Sequence, residues 1–366
     1  MSTRSLPPGS LFDRYLLSEF LRFFFLALGG FVGFVVLVDA FEKIDTFIDY
    51  EATLSQVARY YLNSIPFQAV LVTPVALLLA TFLSLGSMTR FQEITIMKSA
   101  GISLYRMFVP VFLVGLLVAG LSFVVTDWVM PGAQGRAKQI FEQEIRGRTM
   151  QNLGSRMNVT YIGQDNRFFV IRRYDVPRST MIDAVVQEFD DTRLARRVDA
   201  RKAVYENGVW MFLQGVDRRF EVNGWETADS FDTLRWDLPE EPADFAKQEM
   251  DPQQMSFPDL RDYVERVRRS GSPVEAFVTD LHLRIAFPLV NFVMVLIGAS
   301  FAVQIRRGGI AIGFGLSLGI SFVYWSLIRA GQVLGHSGTL PPMLAAWLGN
   351  IVFIAIGIYL LLRTPK

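Results

Sequence analysis

The chain runs to 366 residues, 51% of them apolar and 13% aromatic, with 36 Lys and Arg set against 35 Asp and Glu for a net charge of +1. So even a balance excludes a dedicated nucleic-acid binder, which needs a basic surface to displace counterions. The lack of any cysteine excludes disulfides, thiolate chemistry and cysteine-held zinc or iron–sulfur centres.

Charge is nonetheless unevenly placed: more than two thirds of it falls between Asp127 and Arg284, so an apolar shell surrounds a polar insert. A membrane span needs roughly 20 apolar residues to cross about 30 Å of hydrocarbon. The uncharged runs are Phe23 to Val38, extendable to Phe41, then Tyr60 to Thr89 and Met107 to Thr126. After the insert come Ile285 to Ile305, Gly308 to Ile328 and Ala330 to Leu362. The first is followed by Glu42-Lys43 and lacks a small-x-small cleavage site, so it reads as a retained anchor and not a signal peptide.

Between the second and third runs lies Arg90-Phe-Gln-Glu93-Ile-Thr-Ile-Met97-Lys98-Ser-Ala-Gly101. Ile94, Met97 and Lys98 fall on one helical face with Arg90, and Gly101 suits a left-handed helix end. Such a short amphipathic helix fits a groove in a partner, or else lies on lipid.

Within the insert, Pro131 to Arg148 reads as a helical lead-in. Seven short strands follow at 158–163, 167–174, 181–189, 194–206, 209–213, 217–222 and 231–238, with turns marked by Asp190-Asp191, Asn207-Gly208 and Asn223-Gly224. That pattern predicts an antiparallel sandwich, jelly roll or open barrel. Ser256 then caps a return helix with Phe257, Leu260, Tyr263, Val264 and Val267 along one face. The predicted organisation is 1–126 for the N-terminus, three spans and a loop helix at 90–101, 127–156 for a connector, 157–255 for the β domain, 256–284 for a second connector and 285–366 for three more spans.

Short loops rich in Lys and Arg stay on the cytoplasmic side. Arg4, Arg14, Arg22, Arg90, Lys98, Arg106, Arg306, Arg307, Arg363 and Lys366 fall on one side, which predicts cytoplasmic termini and an extracytoplasmic β domain. Against that trend, Lys43, Arg59, Arg136 with Lys138, Arg284 and Arg329 sit at outer span ends. Cations there either snorkel or hold the phosphates of an anionic lipid.

Other motifs lead nowhere. Gly315-Leu-Ser317-Leu-Gly319 matches a nucleophile elbow but lies inside an apolar span, where small residues serve close helix packing. His282 and His336 lack ligand partners in sequence, and no phosphate-binding loop is present, so no metal and no cofactor of the chain's own is expected.

Asp13-Arg14-Tyr15, Val38-Asp39 with Lys43, the loop Glu93-Ile-Thr-Ile-Met97-Lys98-Ser-Ala-Gly101-Ile-Ser, Leu281-His282 with Pro288, and Leu340-Pro341-Pro342 together resemble the LptF/LptG family of lipopolysaccharide export permeases. The likeness covers the whole chain, and the opening Asp-Arg-Tyr with Lys43 is more similar to the LptG branch. It implies a multi-pass inner-membrane chain of six helices, three before and three after a periplasmic β-jelly-roll-like domain. It further implies pairing with an LptF-type paralogue, an LptB-type ATPase dimer that carries ATP and Mg, and passage of lipopolysaccharide to LptC and LptA. Glu93 then matches the acid of the coupling helix, within the set Arg90, Glu93, Met97, Lys98 and Gly101, and Lys43 matches a basic residue that holds substrate phosphates. Where the LptG pattern has further lysines in span one, this chain has Val36 and Glu42, which leaves Arg59, Arg284 and Arg329 as substitutes. The alternative from another class is a scaffold or sensor that transports nothing and merely presents the β domain.

Overall fold

The computed structural model describes residues 11–147, 154–163, 167–190, 193–206, 208–220, 226–246, 255–269, 274–304 and 310–363. It divides into two compact units, residues 1–138 with 275–366, and residues 139–274.

In the first unit, helices α1 (Leu11–Asp49) and α2 (Leu54–Arg90) are joined by a tight turn, and Thr53 caps α2 in a reciprocal exchange with Gln56. A seven-residue helix, α3 (Glu93–Ser99), leads into α4 (Leu104–Val124). That helix continues through a π-helical turn at Val125–Val129, α5 (Met130–Gln139) and a second π turn at Ile140–Ile145, so the expected lead-in helix is no separate element. The unit closes with α8 (Glu275–Gln304), α9 (Ile310–His336) and α10 (Pro342–Arg363). Among the described residues, six helices are therefore long and apolar enough to span a membrane. One boundary differs from the expectation. Arg329 lies inside α9, and the chain turns only at Gly338, whose φ is +71°, and Pro341. A single charge interrupts an apolar run without breaking a helix; a left-handed glycine followed by proline does break one.

Lipid removes the hydrophobic drive between helices, so close backbone approach and internal polar bonds hold the bundle. Gly298 of α8 shows the approach: a Cβ there would meet the Thr81 Cβ of α2 at 2.9 Å. Asn350 of α10 accepts the Tyr324 hydroxyl of α9 and donates to the Ala286 carbonyl of α8 at 2.8 Å, tying three helices at one buried point. Asn291 likewise donates to Ser122 of α4 at 2.9 Å. Thr81 and Ser84 return their hydroxyls to carbonyls one turn back, at 2.7 Å each, and so hide their polarity within α2.

The second unit carries six antiparallel strands paired in chain order: β1 (Ser155–Ile162), β2 (Arg167–Asp175), β3 (Thr180–Asp190), β4 (Arg193–Glu206), β5 (Val209–Phe220) and β6 (Glu226–Trp236). Among the described residues the sheet is thus a meander, and two of the seven predicted strands are one. From β2 to β6, pairing lapses along a single row: Arg172, Asp183, Arg201, Gln214 and Asp232 are skipped while the register on either side stays unchanged. Asp183 and Gln214 have positive φ there. The buried alternation steps by three across this row, from Ile171 to Tyr174 in β2 and from Ala200 to Ala203 in β4. Every one of these strands carries the extra residue in step, so the sheet is creased instead of slipped.

One buried face of the crease gathers Phe169, Ile171, Tyr174, Met181, Trp210 and Phe212, and α6 (Pro242–Ala246) adds Phe245 to it. The Phe245 ring lies 4.9 Å from Tyr161, 5.0 Å from Phe169 and 5.5 Å from Trp210. Two buried polar groups are met locally: the Trp210 indole donates to Glu240 O at 2.8 Å and the Tyr174 hydroxyl to Pro242 O at 2.9 Å. Burial pushes the Tyr174 phenol up to about 12, so it keeps the proton that this bond needs. In α7 (Phe257–Arg269), Ser256 caps the first turn, and Leu260, Val264 and Val267 are buried. The Asn223-Gly224 turn, Asp191 and Asn207 lie outside the described residues.

Candidate functional site

The loop between α2 and α4 has its chemistry set by two left-handed residues. Arg90 ends α2, then Gln92 at φ +60° breaks the helix, so Arg90 does not share a face with α3 as the spacing suggested. Gly101 at φ +85° ends the short helix, as expected of a glycine at that point. Ile94 is buried and Met97 packs on the bundle core, which fixes α3 to its own unit. Phe91 and Ile96 are left 67% and 62% exposed beside Glu93 and the partly buried Lys98. Glu93 accepts a long bond from the Tyr15 hydroxyl at 3.5 Å. The outward apolar residues of this loop are thus Phe91 and Ile96, whereas the spacing assigns that role to Ile94 and Met97.

At the opposite ends of α1 and α2 a polar group is assembled. Lys43 pairs with Asp39 one turn earlier on α1, donates to the Tyr60 hydroxyl at 2.7 Å and lies 5.1 Å from the Tyr60 ring centre. The Tyr61 hydroxyl donates to the other Asp39 oxygen at 3.0 Å. Lys43 therefore presents a half-buried ammonium already shared by a carboxylate and a phenol. An incoming phosphate would meet a cation whose position is set in advance.

The model of the family described as the lipopolysaccharide export system permease LptF/LptG matches residues 14–363. The chain belongs to the LptF/LptG family. Among curated relatives, it is 23% identical over 97% of its length to the lipopolysaccharide export system permease protein LptG of Escherichia coli K12, covering 99% of that protein. It is 22% identical over 96% of its length to LptG of Haemophilus influenzae, covering 98% of it. The family is one of transporter permeases, so the chain is a lipopolysaccharide export permease and not itself an enzyme. It is a multi-pass membrane protein with a sheet inserted between its third and fourth spanning helices.

The remaining basic residues of this permease fall into separate places. Arg59 is exposed and immediately precedes Tyr60 on α2. Arg329 donates to Gln332 at 2.8 Å, Gln332 donates to Asp280 of α8 at 3.1 Å, and Asp280 lies 2.9 Å from His336. Arg284 follows Asp280 by four residues on α8, one turn further along the same helix. Arg136 is exposed on α5. Sequence reasoning passed over Asp39, Tyr60 and Tyr61 as partners, although the Asp39 to Lys43 spacing is that of a helical ion pair.

Proposed function

We propose that this permease is one half of a transporter of the inner membrane, driven by a separate ATPase at the α3 end, with its termini and α3 cytoplasmic and its sheet unit periplasmic. The basic loops at that end and the lack of a phosphate-binding loop support this reading. The single observation that carries it is the pair Phe91 and Ile96, exposed on either side of Glu93 while Ile94 and Met97 anchor the same short helix in the core. An apolar knob held this rigidly, with an acid at its centre, suits a groove on an LptB-type ATPase dimer holding ATP and Mg.

Closure of that dimer pushes α3, and α3 moves the bundle to which it is fixed. A paralogous LptF-type chain completes the cavity, Lys43 with Arg59 holds lipopolysaccharide phosphates, and the substrate leaves along sheet units toward LptC and LptA. Glu93→Ala and Ile96→Asp should each lower recovery of the ATPase with the solubilised permease by roughly tenfold, the effect of losing one anchor at an interface centre. Unchanged recovery and unchanged lipopolysaccharide export in both variants would refute the assignment.

A further inference from the structure

We propose that the Asp13–Arg106 ion pair is the link that carries motion of the α3 segment into the first spanning helix. The proposal rests on the coupling role argued above and names the residues that transmit it. Arg106 lies in the first turn of α4, just after α3, and its Nη1 and Nη2 donate to the two Asp13 oxygens at 3.1 and 2.8 Å. Both carboxylate oxygens are engaged and Asp13 is buried, so the pair is a forked, geometrically specific contact and not a loose surface bridge.

The segment between α3 and Arg106 is short and internally bonded. Ile102 N donates to Met97 O at 3.1 Å, and Ser103 caps the Arg106 amide at 3.3 Å. Movement of α3 thus reaches Arg106 with little slack. On α1, Tyr15 touches Glu93 of α3 with its hydroxyl, while Asp13, two residues earlier and so on the other side of the helix, holds α4. The first turn of α1 is straddled by the two ends of the loop.

Beyond that turn α1 is a lever. Asp13, Leu16, Phe20, Phe24 and Ala27 form its buried stripe, and past Ala27 no residue of α1 is buried. Lys43 rides on the less buried half, which the Lys43–Tyr60 and Tyr61–Asp39 bonds tie to the start of α2, about 45 Å along the helix from Asp13 at 1.5 Å per residue. A shift at Asp13 therefore reappears at the lipid-facing end that carries the Lys43 group.

The test uses the complete exporter in proteoliposomes and reads lipopolysaccharide delivered per ATP hydrolysed, a ratio that loss of stability alone does not move. Asp13→Asn and Arg106→Gln should assemble and hydrolyse ATP while that ratio falls on the order of tenfold, and exchanging the charges, Asp13→Arg with Arg106→Asp, should restore it. Assembled single variants with the parent's ratio would overturn the link while leaving the coupling role intact. Failure of the parent chain to bring down any ATPase would instead remove the reading beneath it. Should the single variants not accumulate, Asp13→Cys with Arg106→Cys, joined by a short bis-maleimide in a chain otherwise free of cysteine, keeps the question open to decision. Retained transport supports two ends that move as one body, and transport abolished by the tether overturns it.

Discussion

In the proposed phosphate contact, Lys43 would meet the anion with Asp39 already beside it. The carboxylate holds the ammonium in place, and it also competes with the anion for it. Lys43→Ala should therefore lower photo-crosslinking of lipopolysaccharide at the α1–α2 end, whereas Asp39→Asn should raise it by about fivefold, roughly 1 kcal/mol of relieved competition. Equal yields in parent and both variants would dismiss Lys43 as a phosphate contact. In the sheet unit, Asp217 accepts a forked Arg196 at 2.9 and 2.8 Å and lies within 3.5 Å of Arg219. Burial alone would raise the Asp217 carboxyl, but the two guanidinium groups outweigh it and hold it below its ordinary value. A carboxyl lowered in the fold adds stability above its unfolded pKa, near 4, and loses that contribution as pH falls through the folded value. Asp217→Asn should thus cost about 1–2 kcal/mol at pH 7, with the gap to the parent closing below about pH 4. Denaturant titration of the solubilised full chain, followed by proteolysis of the sheet unit, measures both.

Elements show why a crease is hard to see in advance and easy to test. Gly215 sits beside the skipped Gln214, where a Cβ would lie 2.2 Å from the Asp199 carbonyl of β4 and 2.5 Å from the Phe231 ring of β6. Gly215→Val should cost about 3 kcal/mol or prevent accumulation. Thr233→Val, on the exposed outer face of β6, should change stability by less than about 0.5 kcal/mol. Equal stability of the two variants would mean that the close approach at Gly215 is not needed. The same crease explains what the sequence hid. Period-two alternation runs from Val209 to Leu213 and resumes one residue out of phase, so a single β5 reads as two strands with a turn between them. The spanning helices were legible because runs of uncharged residues have no competing explanation. Their ends were less so, since helix breaks depend on backbone angle: Gln92 is left-handed without being glycine, and that alone detaches Arg90 from α3 and turns Phe91 outward. Ion pairs between distant helices, such as Asp13 with Arg106, leave no trace in local spacing.

At the scale of the whole chain, the helices of the spanning unit are unequally covered. In α2 and α8, 72% of the apolar window is buried, against 11% in α1 and 17% in α9. Phe31 of α1 stacks on Phe314 of α9 at 6.4 Å, so these two poorly covered helices are neighbours. Their glycines distinguish a face built for another helix from one built for lipid. A Cβ at Gly298, Gly335 or Gly357 would strike a neighbouring helix within 3 Å, whereas one at Gly29, Gly33, Gly315 or Gly319 meets nothing within 4 Å. Small residues four apart let helices approach closely, and with no partner within 4 Å among the described residues these open pairs suit a second permease chain. The outward face of α4, with Leu113, Leu117 and Leu121 exposed, has the bulk expected of a lipid contact instead. Gly33→Ile should therefore leave the monomer's thermal midpoint within about 2 °C of the parent, yet cut recovery of the paralogous chain by on the order of tenfold. Gly298→Ile should do the reverse, lowering accumulation of the chain itself because Thr81 and Leu78 already fill that space. Native mass spectrometry of the solubilised complexes separates the two outcomes by counting chains. Intact pairing in Gly33→Ile, with Gly315→Ile behaving alike, would show that the open faces of α1 and α9 are covered by lipid and not by protein.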